Sequence, residues 1–249
     1  MTSRVAGSPS TSGPLAHEGE ILAIAVVANV AANRLVSRRH YIPANVTAGT
    51  ATVTLARGDG LSWSELGLDP ADVVRGLRFG LPAAGLVVLV VTAGAVHPQI
   101  RRFFVDERVV GADRREILLE SLLRIPIATA LFEEVLFRGV LLGAARRRLP
   151  MPAAVAASSF LFGLWHVLPT LDTVEGNPAG GFFGSKATAA LAAVVGTAVA
   201  GAGFAWLRIR SRSVVAPTVV HIATNTAAYL AAAVVIRRAG RPGSSSGLG

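Results

Sequence analysis

The sequence predicts an all-α, polytopic membrane protein, a helical bundle with about six transmembrane helices. Three observations support this fold class. Of the 249 residues, 52% are hydrophobic, and the mean hydropathy is +0.54. Only 16% of the residues are charged, against about 25% in an ordinary soluble domain. The hydrophobic residues also occur in runs long enough to cross the roughly 30 Å hydrocarbon core of a bilayer.

Six apolar segments are the predicted transmembrane helices. The first has the least secure apolar run, because Asn33 and Arg34 shorten it. Pro150 and Pro152 mark a tight link between the third and fourth segments, which predicts that these two are antiparallel neighbours. The segments are approximately 20–36, 79–97, 125–145, 152–169, 187–207 and 213–236.

The segments between the predicted spans are more polar. Residues 58–70 form a turn-rich stretch with a short helix predicted to start near Ser62, and we interpret it as an interfacial segment. Residues 113–124 alternate charges and leucines at helical spacing. Two structures fit this pattern: an amphipathic helix along the membrane surface, or an extension of the third span into the cytoplasm. The two ends, 1–19 and 238–249, are predicted to be disordered tails.

The net charge of +9 comes from arginines clustered at the ends of apolar runs, as at Arg101 and Arg102 and at residues 146–148. This placement favours anchoring at the lipid bilayer, and we expect no nucleic-acid partner. The two membrane orientations place similar numbers of Lys and Arg inside, so the positive-inside rule does not separate them. The absence of cysteine excludes disulfides, thiolate catalysis and cysteine-ligated metals.

Three ionisable residues lie inside the third predicted span: Glu133, Glu134 and Arg138. An ionised side chain at the centre of a membrane helix costs roughly 2.5–3.5 kcal/mol on insertion scales, so we expect these residues to have partners or a function. Glu134 and Arg138 are four residues apart, which predicts an ion pair on one helix face. Glu133 then points about 100° away around the helix. An unpaired carboxylate beside a paired one can take a different role.

Two other predicted spans each carry a pair of residues at the same spacing, and each pair includes a histidine. Phe162 and His166 are four residues apart in the fourth span, as are His221 and Asn225 in the sixth. If the three helices are neighbours, a carboxylate, two imidazoles and a carboxamide converge near mid-membrane. Such a group supports hydrolysis, because carboxylate and imidazole can deprotonate a water directly or through a divalent metal, and His and Asn can stabilise an oxyanion. Glu133 with both histidines also makes a plausible zinc shell with an open position.

Each of these residues also has a purely structural interpretation. Phe162 and Trp165 are more often packing residues, an intramembrane Asn often joins two helices, and the pair of Glu134 and Arg138 can be structural. Taken together, five ionisable residues on three helices, at three spacings of four, favour a shared site.

The motifs resemble a known family when they are taken in order. Glu133-Glu134-x-x-x-Arg138, Phe162-x-x-x-His166 and His221-x-x-x-Asn225 are similar to the motifs of the CAAX prenyl protease and bacteriocin-processing (Abi) family of intramembrane proteases. The resemblance covers roughly residues 115–237. It implies a protease core with a four-helix catalytic bundle at 112–237, preceded by an N-terminal transmembrane pair with an interfacial loop at 20–111.

The resemblance also implies roles for the site residues. The attacking water would be activated by Glu133 with His166, the oxyanion would be stabilised by His221 and Asn225, and Glu133 would be supported by Glu134 and Arg138. Two schemes remain open: a metalloprotease with zinc held by Glu133, His166 and His221, and a metal-free site. The implied partner is a peptide or protein substrate at the membrane. The Arg-rich, Lys-poor composition suggests a GC-rich bacterial genome, so we expect a bacterial cell membrane and no prenylated substrate.

Two other classes of function fit some of the same features. One is a non-catalytic bacteriocin-immunity or membrane scaffold protein, whose buried polar cluster fixes the helix packing. The other is a proton-coupled transporter, because intramembrane Glu and His also form proton relays. The transporter is less favoured, because the sequence shows no inverted repeat or pair of broken helices.

Overall fold

The computed structural model describes residues 16–104, 106–176 and 185–239. Within these ranges all regular secondary structure is helical, which confirms the predicted all-α membrane bundle. Of the tails predicted to be disordered, 1–19 and 238–249, residues 1–15 and 240–249 lie outside the described residues, whereas residues 18–19 and 238–239 are helical. Four of the described helices are long and apolar enough to cross a membrane, and the predicted total of six stays a prediction. These four are Pro70–Val96, Met151–Leu171, Lys186–Ser211 and Val215–Arg238.

We number the helices along the chain and treat the unbroken helical stretch in its middle as one helix, α5. Short 3-10 turns occur at Pro70–Asp72, Arg101–Phe103 and Glu107–Val109. The helices are α1 (Glu18–Val30, continued by a π-helical turn at Ala31–Leu35), α2 (Tyr41–Gly58), α3 (Trp63–Leu66), α4 (Val73–Val96), α5 (residues 114–145), α6 (Met151–Trp165), α7 (Val167–Gly176), α8 (Lys186–Ser211) and α9 (Val215–Ala239).

Helix α5 is continuous but not uniform. Its α-helical parts, Arg114–Leu119, Phe132–Glu134 and Leu142–Ala145, alternate with π-helical parts at Glu120–Leu131 and Val135–Leu141. Wider π-helical turns are rare and occur most often at functional sites. Here they flank the turn that carries the two adjacent glutamates. The continuity of α5 also favours the second interpretation of residues 113–124, an extension of the third span.

Helix α2 was not predicted. The sequence of this helix is rich in Thr and Gly, which lower helix propensity and apolar character. The structure shows why the segment is nevertheless helical and packed. Asn45 is buried, and its Nδ2 donates to the backbone oxygen of Ala128 on α5 at 3.0 Å. Gly49 lies against the ring of Phe132, because a Cβ added at Gly49 would be 3.2 Å from a carbon of that ring. Contacts with α5 thus stabilise a helix that its own sequence favours only weakly.

The interfacial segment has the predicted short helix. The α3 helix begins after Ser62, which forms a capping box with Glu65, and ends at Gly67 with φ +68°. Its backbone packs directly on α5, because Gly139 and Gly143 have no side chains: a Cβ there would lie 3.1 and 3.0 Å from the carbonyl oxygens of Leu66 and Glu65. The polar segment is therefore attached to the helix that carries the glutamates.

Helices α5 and α6 are antiparallel neighbours, as the tight link between them predicts. Leu142 near the end of α5 packs with Ala154 near the start of α6. Further along, Ser158 Oγ donates to the Phe137 backbone oxygen at 2.7 Å. The earlier part of α5 faces Trp165 at the end of α6. Helix α9 packs on the other side of α5, and the polar side chains of the three helices meet in the centre.

Candidate active site

Glu134 is the most enclosed carboxylate of the central cluster. Its Oε1 accepts a hydrogen bond from Arg138 Nη1 at 3.2 Å and lies 2.9 Å from His221 Nδ1. The side chains of Glu134 and Arg138 are both 0% exposed, so the structure has the ion pair that the spacing predicted. A carboxylate only accepts hydrogen bonds, so Nδ1 of His221 carries a proton in this contact. Glu134 thereby fixes both the ring orientation and the tautomer of His221.

Aromatic rings surround the guanidinium of Arg138. Its Cζ lies 3.9 Å from the ring centre of Phe162, 5.2 Å from that of Phe204 and 5.8 Å from that of Phe137. Nε and Nη2 have no hydrogen-bond partner among the described residues, so cation–π contacts are what stabilises this side of the cation. Gly201 leaves the necessary space, since a Cβ there would lie 2.9 Å from Nη2. Phe162, predicted to be a packing residue, also contacts the buried charge.

Glu133 has a different environment from its neighbour. Its Oε1 accepts a hydrogen bond from Trp165 Nε1 at 3.0 Å. Its Oε2 is buried without a hydrogen-bond partner on any described residue, and lies 3.9 Å from His221 Nε2. A buried polar atom left unpaired costs roughly 1–3 kcal/mol, and more when charged. A separation of 3.9 Å is too long for a direct hydrogen bond and suits a bridging water.

Trp165 is the site residue that the sequence analysis missed. The sequence placed it beside His166 and suggested only packing or an interfacial position. The ring does pack, 5.5 Å from Phe137 and 5.8 Å from Phe132 between ring centres. Its indole N–H, however, is the one hydrogen-bond donor to Glu133 from the described part of the chain. Spacing within one helix carries no signal for such a contact, because it joins α6 to α5.

His166 lies at the edge of the cluster. Its Nδ1 is 2.8 Å from the backbone oxygen of Phe162, and its ring centre is 4.5 Å from the Phe162 ring. The carbonyl accepts, so Nδ1 is the protonated nitrogen and the lone pair of Nε2 stays available. The ring centre of His221 lies 6.0 Å from that of Phe162, so both histidines contact this one ring. The structure shows no direct bond between His166 and Glu133.

Asn225 follows His221 by one turn of α9, as the spacing predicts. Its side chain is half-buried, and its carboxamide makes no hydrogen bond to a described residue. An unbonded carboxamide retains two N–H donors. Among the six predicted site residues, the structure therefore joins Glu133, Glu134, Arg138 and His221 closely. It places His166 against Phe162 at the edge of that group, and Asn225 one helical turn after His221.

The predicted zinc shell consists of Glu133, His166 and His221. The chemistry of these donors suits zinc, since each histidine has its Nδ1 bonded and its Nε2 available. Their placement does not fit, because no three such donors in the described ranges come together in a way that could hold an ion. We therefore derive no reaction step through a metal, and zinc stays a prediction.

The part of the chain that carries this site is similar to a known protein family. Residues 116–227 match the family model described as type II CAAX prenyl endopeptidase, Rce1-like. This core is a domain of the CAAX prenyl protease and bacteriocin-processing family. The CAAX-protease domain contains all six predicted site residues, whereas α1 to α4 precede the match. Searches of the curated proteins and of the solved structures found no match. The chain is thus a multi-pass membrane protein with a protease-family domain.

Proposed function

We propose that the protein is an intramembrane endopeptidase that hydrolyses peptide bonds of a peptide or protein substrate at the membrane. The observation that carries this proposal is the unpartnered Oε2 of Glu133, 3.9 Å from Nε2 of His221. Because Glu134 accepts a hydrogen bond from the Nδ1–H group, a neutral His221 presents a lone pair at Nε2. Both facing atoms are then acceptors. A water that donates one hydrogen to each satisfies both, and its oxygen lone pairs are left for attack on a carbonyl carbon.

The reaction follows from this arrangement. Glu133 takes a proton from the water as the water oxygen bonds to the substrate carbonyl carbon, and the carbonyl electrons move to its oxygen. The free carboxamide of Asn225 is the donor for that oxyanion. When the C–N bond breaks, the proton held by Glu133 passes to the leaving nitrogen. In this scheme His221, rather than His166, is the nearest imidazole to the base, and the Nε2 of His166 is available as a second proton acceptor.

The buried ion pair has a supporting role. Oε1 of Glu134 accepts hydrogen bonds from both Arg138 and His221, so this oxygen binds its two neighbours. Its function in the proposal is to hold His221 in the tautomer with Nδ1 protonated. Arg138 provides the opposite charge beside Glu134 within a membrane helix. In the proposal, Glu133 transfers the proton and Glu134 orients His221.

The test is a comparison of two identical substitutions on α5. Glu133→Gln keeps the shape of the side chain and removes the base, whereas Glu120→Gln changes a glutamate of the same 5% exposure outside the site. The protein would be reconstituted in liposomes with a library of internally quenched apolar peptides. We expect Glu133→Gln to lower the initial cleavage rate about 10³-fold, with Glu120→Gln near wild type per folded molecule. Undiminished cleavage by Glu133→Gln would overturn the assignment.

The same sample decides the metal question. Zinc content and the effect of a chelator would be measured before and after dialysis. A metal-assisted enzyme contains zinc and loses activity on chelation, and activity returns when zinc is added back. A metal-free enzyme keeps its cleavage rate throughout.

A non-catalytic immunity or scaffold protein is the alternative function. A purely structural cluster is expected to pair its buried polar atoms, because unpaired ones destabilise the fold. Oε2 of Glu133, Oε2 of Glu134 and two nitrogens of Arg138 are all buried without a partner among the described residues, which favours the enzyme. The alternative predicts that Glu133→Gln and His166→Ala keep the cellular phenotype whenever the protein accumulates normally.

A further inference from the structure

We propose that Asn29 of α1 is a positioning residue of this active site and acts on Glu133 through Trp165. The inference rests on the proposed peptidase function. Asn29 Nδ2 donates to the backbone oxygen of Trp165 at 2.8 Å, and Trp165 Nε1 donates to Glu133 Oε1 at 3.0 Å. Two hydrogen bonds, one at each end of Trp165, therefore connect the first helix to the proposed base. Helix α1 lies outside the family match, so a part of the chain beyond that domain completes the site.

The amide of Asn29 is held in one orientation. Asn29 is buried, at 8% exposure, on the face of α1 that packs against the core. Asn33, one turn later, donates from Nδ2 to Asn29 Oδ1 at 3.1 Å and to the Asn29 backbone oxygen at 2.8 Å. Because Oδ1 already accepts from Asn33, the NH₂ group of Asn29 is the one that faces Trp165.

The hydrogen bond from Asn29 gives a partner to a carbonyl group at the end of α6. Trp165 is the last residue of α6, and the final carbonyl groups of a helix have no partner within it. By accepting from Asn29, the Trp165 carbonyl fixes the backbone from which the indole extends. The same backbone continues into His166, whose ring bonds back to Phe162. Asn29 thus positions the backbone from which the side chains of Trp165 and His166 extend.

The position of the indole decides which oxygen of Glu133 is free. The bond to Trp165 occupies Oε1 and leaves Oε2 directed at His221. Without it, the carboxylate could rotate about its last bond, which has a broad torsional preference. Contacts with Phe132 and Phe137 hold the ring itself. A small misplacement of a reacting group can lower a rate substantially, so the backbone anchor at Asn29 should affect turnover rather than substrate binding.

The first measurement needs no enzymatic activity. In protein labelled with ¹⁵N-tryptophan, the indole N–H resonance of Trp165 would be assigned by its loss in Trp165→Phe. We expect it to shift in Asn29→Leu and in Glu133→Gln. The matched control is Asn45→Leu on α2, because Asn45 is also buried and also donates to a core carbonyl, that of Ala128, but has no hydrogen bond to Trp165. An indole resonance unmoved by Asn29→Leu would overturn the inference, whatever becomes of the proposed function.

The second measurement is a double-mutant cycle on peptide cleavage. We expect Asn29→Leu to lower kcat about tenfold with little change in KM, which is the effect of one lost hydrogen bond. In the Trp165→Phe background the same substitution should cause no further loss, because its route to Glu133 is already broken. Equal losses in both backgrounds would overturn the inference. If Asn29→Leu does not accumulate, Asn29→Asp at neutral pH removes the donor with the same shape and is expected to give the same result.

Discussion

Two glutamates of α5, Glu120 and Glu133, are equally buried at 5% exposure, yet their surroundings differ in kind. Glu120 is surrounded by arginines. Its Oε1 accepts from Arg108 Nη1 at 3.0 Å, and its Oε2 from Arg38 Nη2 at 2.9 Å and Arg124 Nη1 at 3.3 Å. Both of its oxygens are thus paired with cations. The cluster also joins the segment after α1 and the turn before α5 to α5 itself.

Glu133 has no such neutralisation. A neutral indole bonds one of its oxygens, and the other has no partner among the described residues. The nearest cation, Arg138, bonds Glu134 instead. Burial therefore does not distinguish these two carboxylates, but the number of cations bonded to their oxygens does. The comparison predicts that the two clusters will respond differently to matched substitutions.

The largest difference is expected between two arginines. Arg138→Met removes a cation that is 0% exposed and leaves Glu134 buried with His221 alone, so we expect a loss of about 3–5 kcal/mol in the free energy of unfolding. Arg108→Met removes a cation whose side chain is 49% exposed, and the expected loss is only about 1 kcal/mol. Denaturant unfolding in detergent micelles measures both. Similar losses for the two variants would contradict the distinction between the clusters.

Substituting Gln for the two glutamates should change stability differently, with a loss for Glu120 and no loss for Glu133. Glu120→Gln removes a carboxylate that three arginines share, while Glu116 and Asp106 still contact them, so we expect a loss of only about 1–2 kcal/mol. Glu133→Gln removes an unpaired buried charge. It should leave stability unchanged or raise it by about 1 kcal/mol, as is common for residues kept for activity. Thermal unfolding midpoints of both variants in the same micelles provide the measurement. A clear loss for Glu133→Gln would assign it a structural role.

The sequence predicted contacts within helices better than contacts between them. The ion pair between Glu134 and Arg138 could be predicted from their spacing, because a helix places residues four apart on one face. The bond from Trp165 to Glu133 did not, since it depends on the distance between α5 and α6 and on the rotamers of two side chains. The same reason explains why α2 was missed. Its polar residues become compatible with a buried helix only through partners such as the Ala128 carbonyl.

A third glutamate extends the comparison to the surface. Glu65 of α3 accepts from Arg147 Nε at 2.7 Å and from Ser62. The bond from Arg147 lowers the pKa of this carboxyl from 4.5 to about 2. A group with a lowered pKa in the folded state stabilises the protein above its unfolded pKa. The contribution of Glu65 is therefore present at neutral pH and is lost as the pH falls from about 4.5 to about 2.

The variant that isolates this effect is Glu65→Gln. We expect it to be less stable than wild type by about 1 kcal/mol at pH 7, a small value because the Glu65 side chain is 38% exposed and solvent screens the pair. At pH 3 the difference should shrink, because wild-type Glu65 then loses part of its charge advantage. Glu20→Gln, at an exposed position of α1, is the control and should change little at either pH. If Glu65→Gln lowers the free energy of unfolding by the same amount at both pH values, the contribution of Glu65 comes from its shape and hydrogen bonds rather than from its charge. Pairing with an arginine would then not by itself mark a structural carboxylate in this protein.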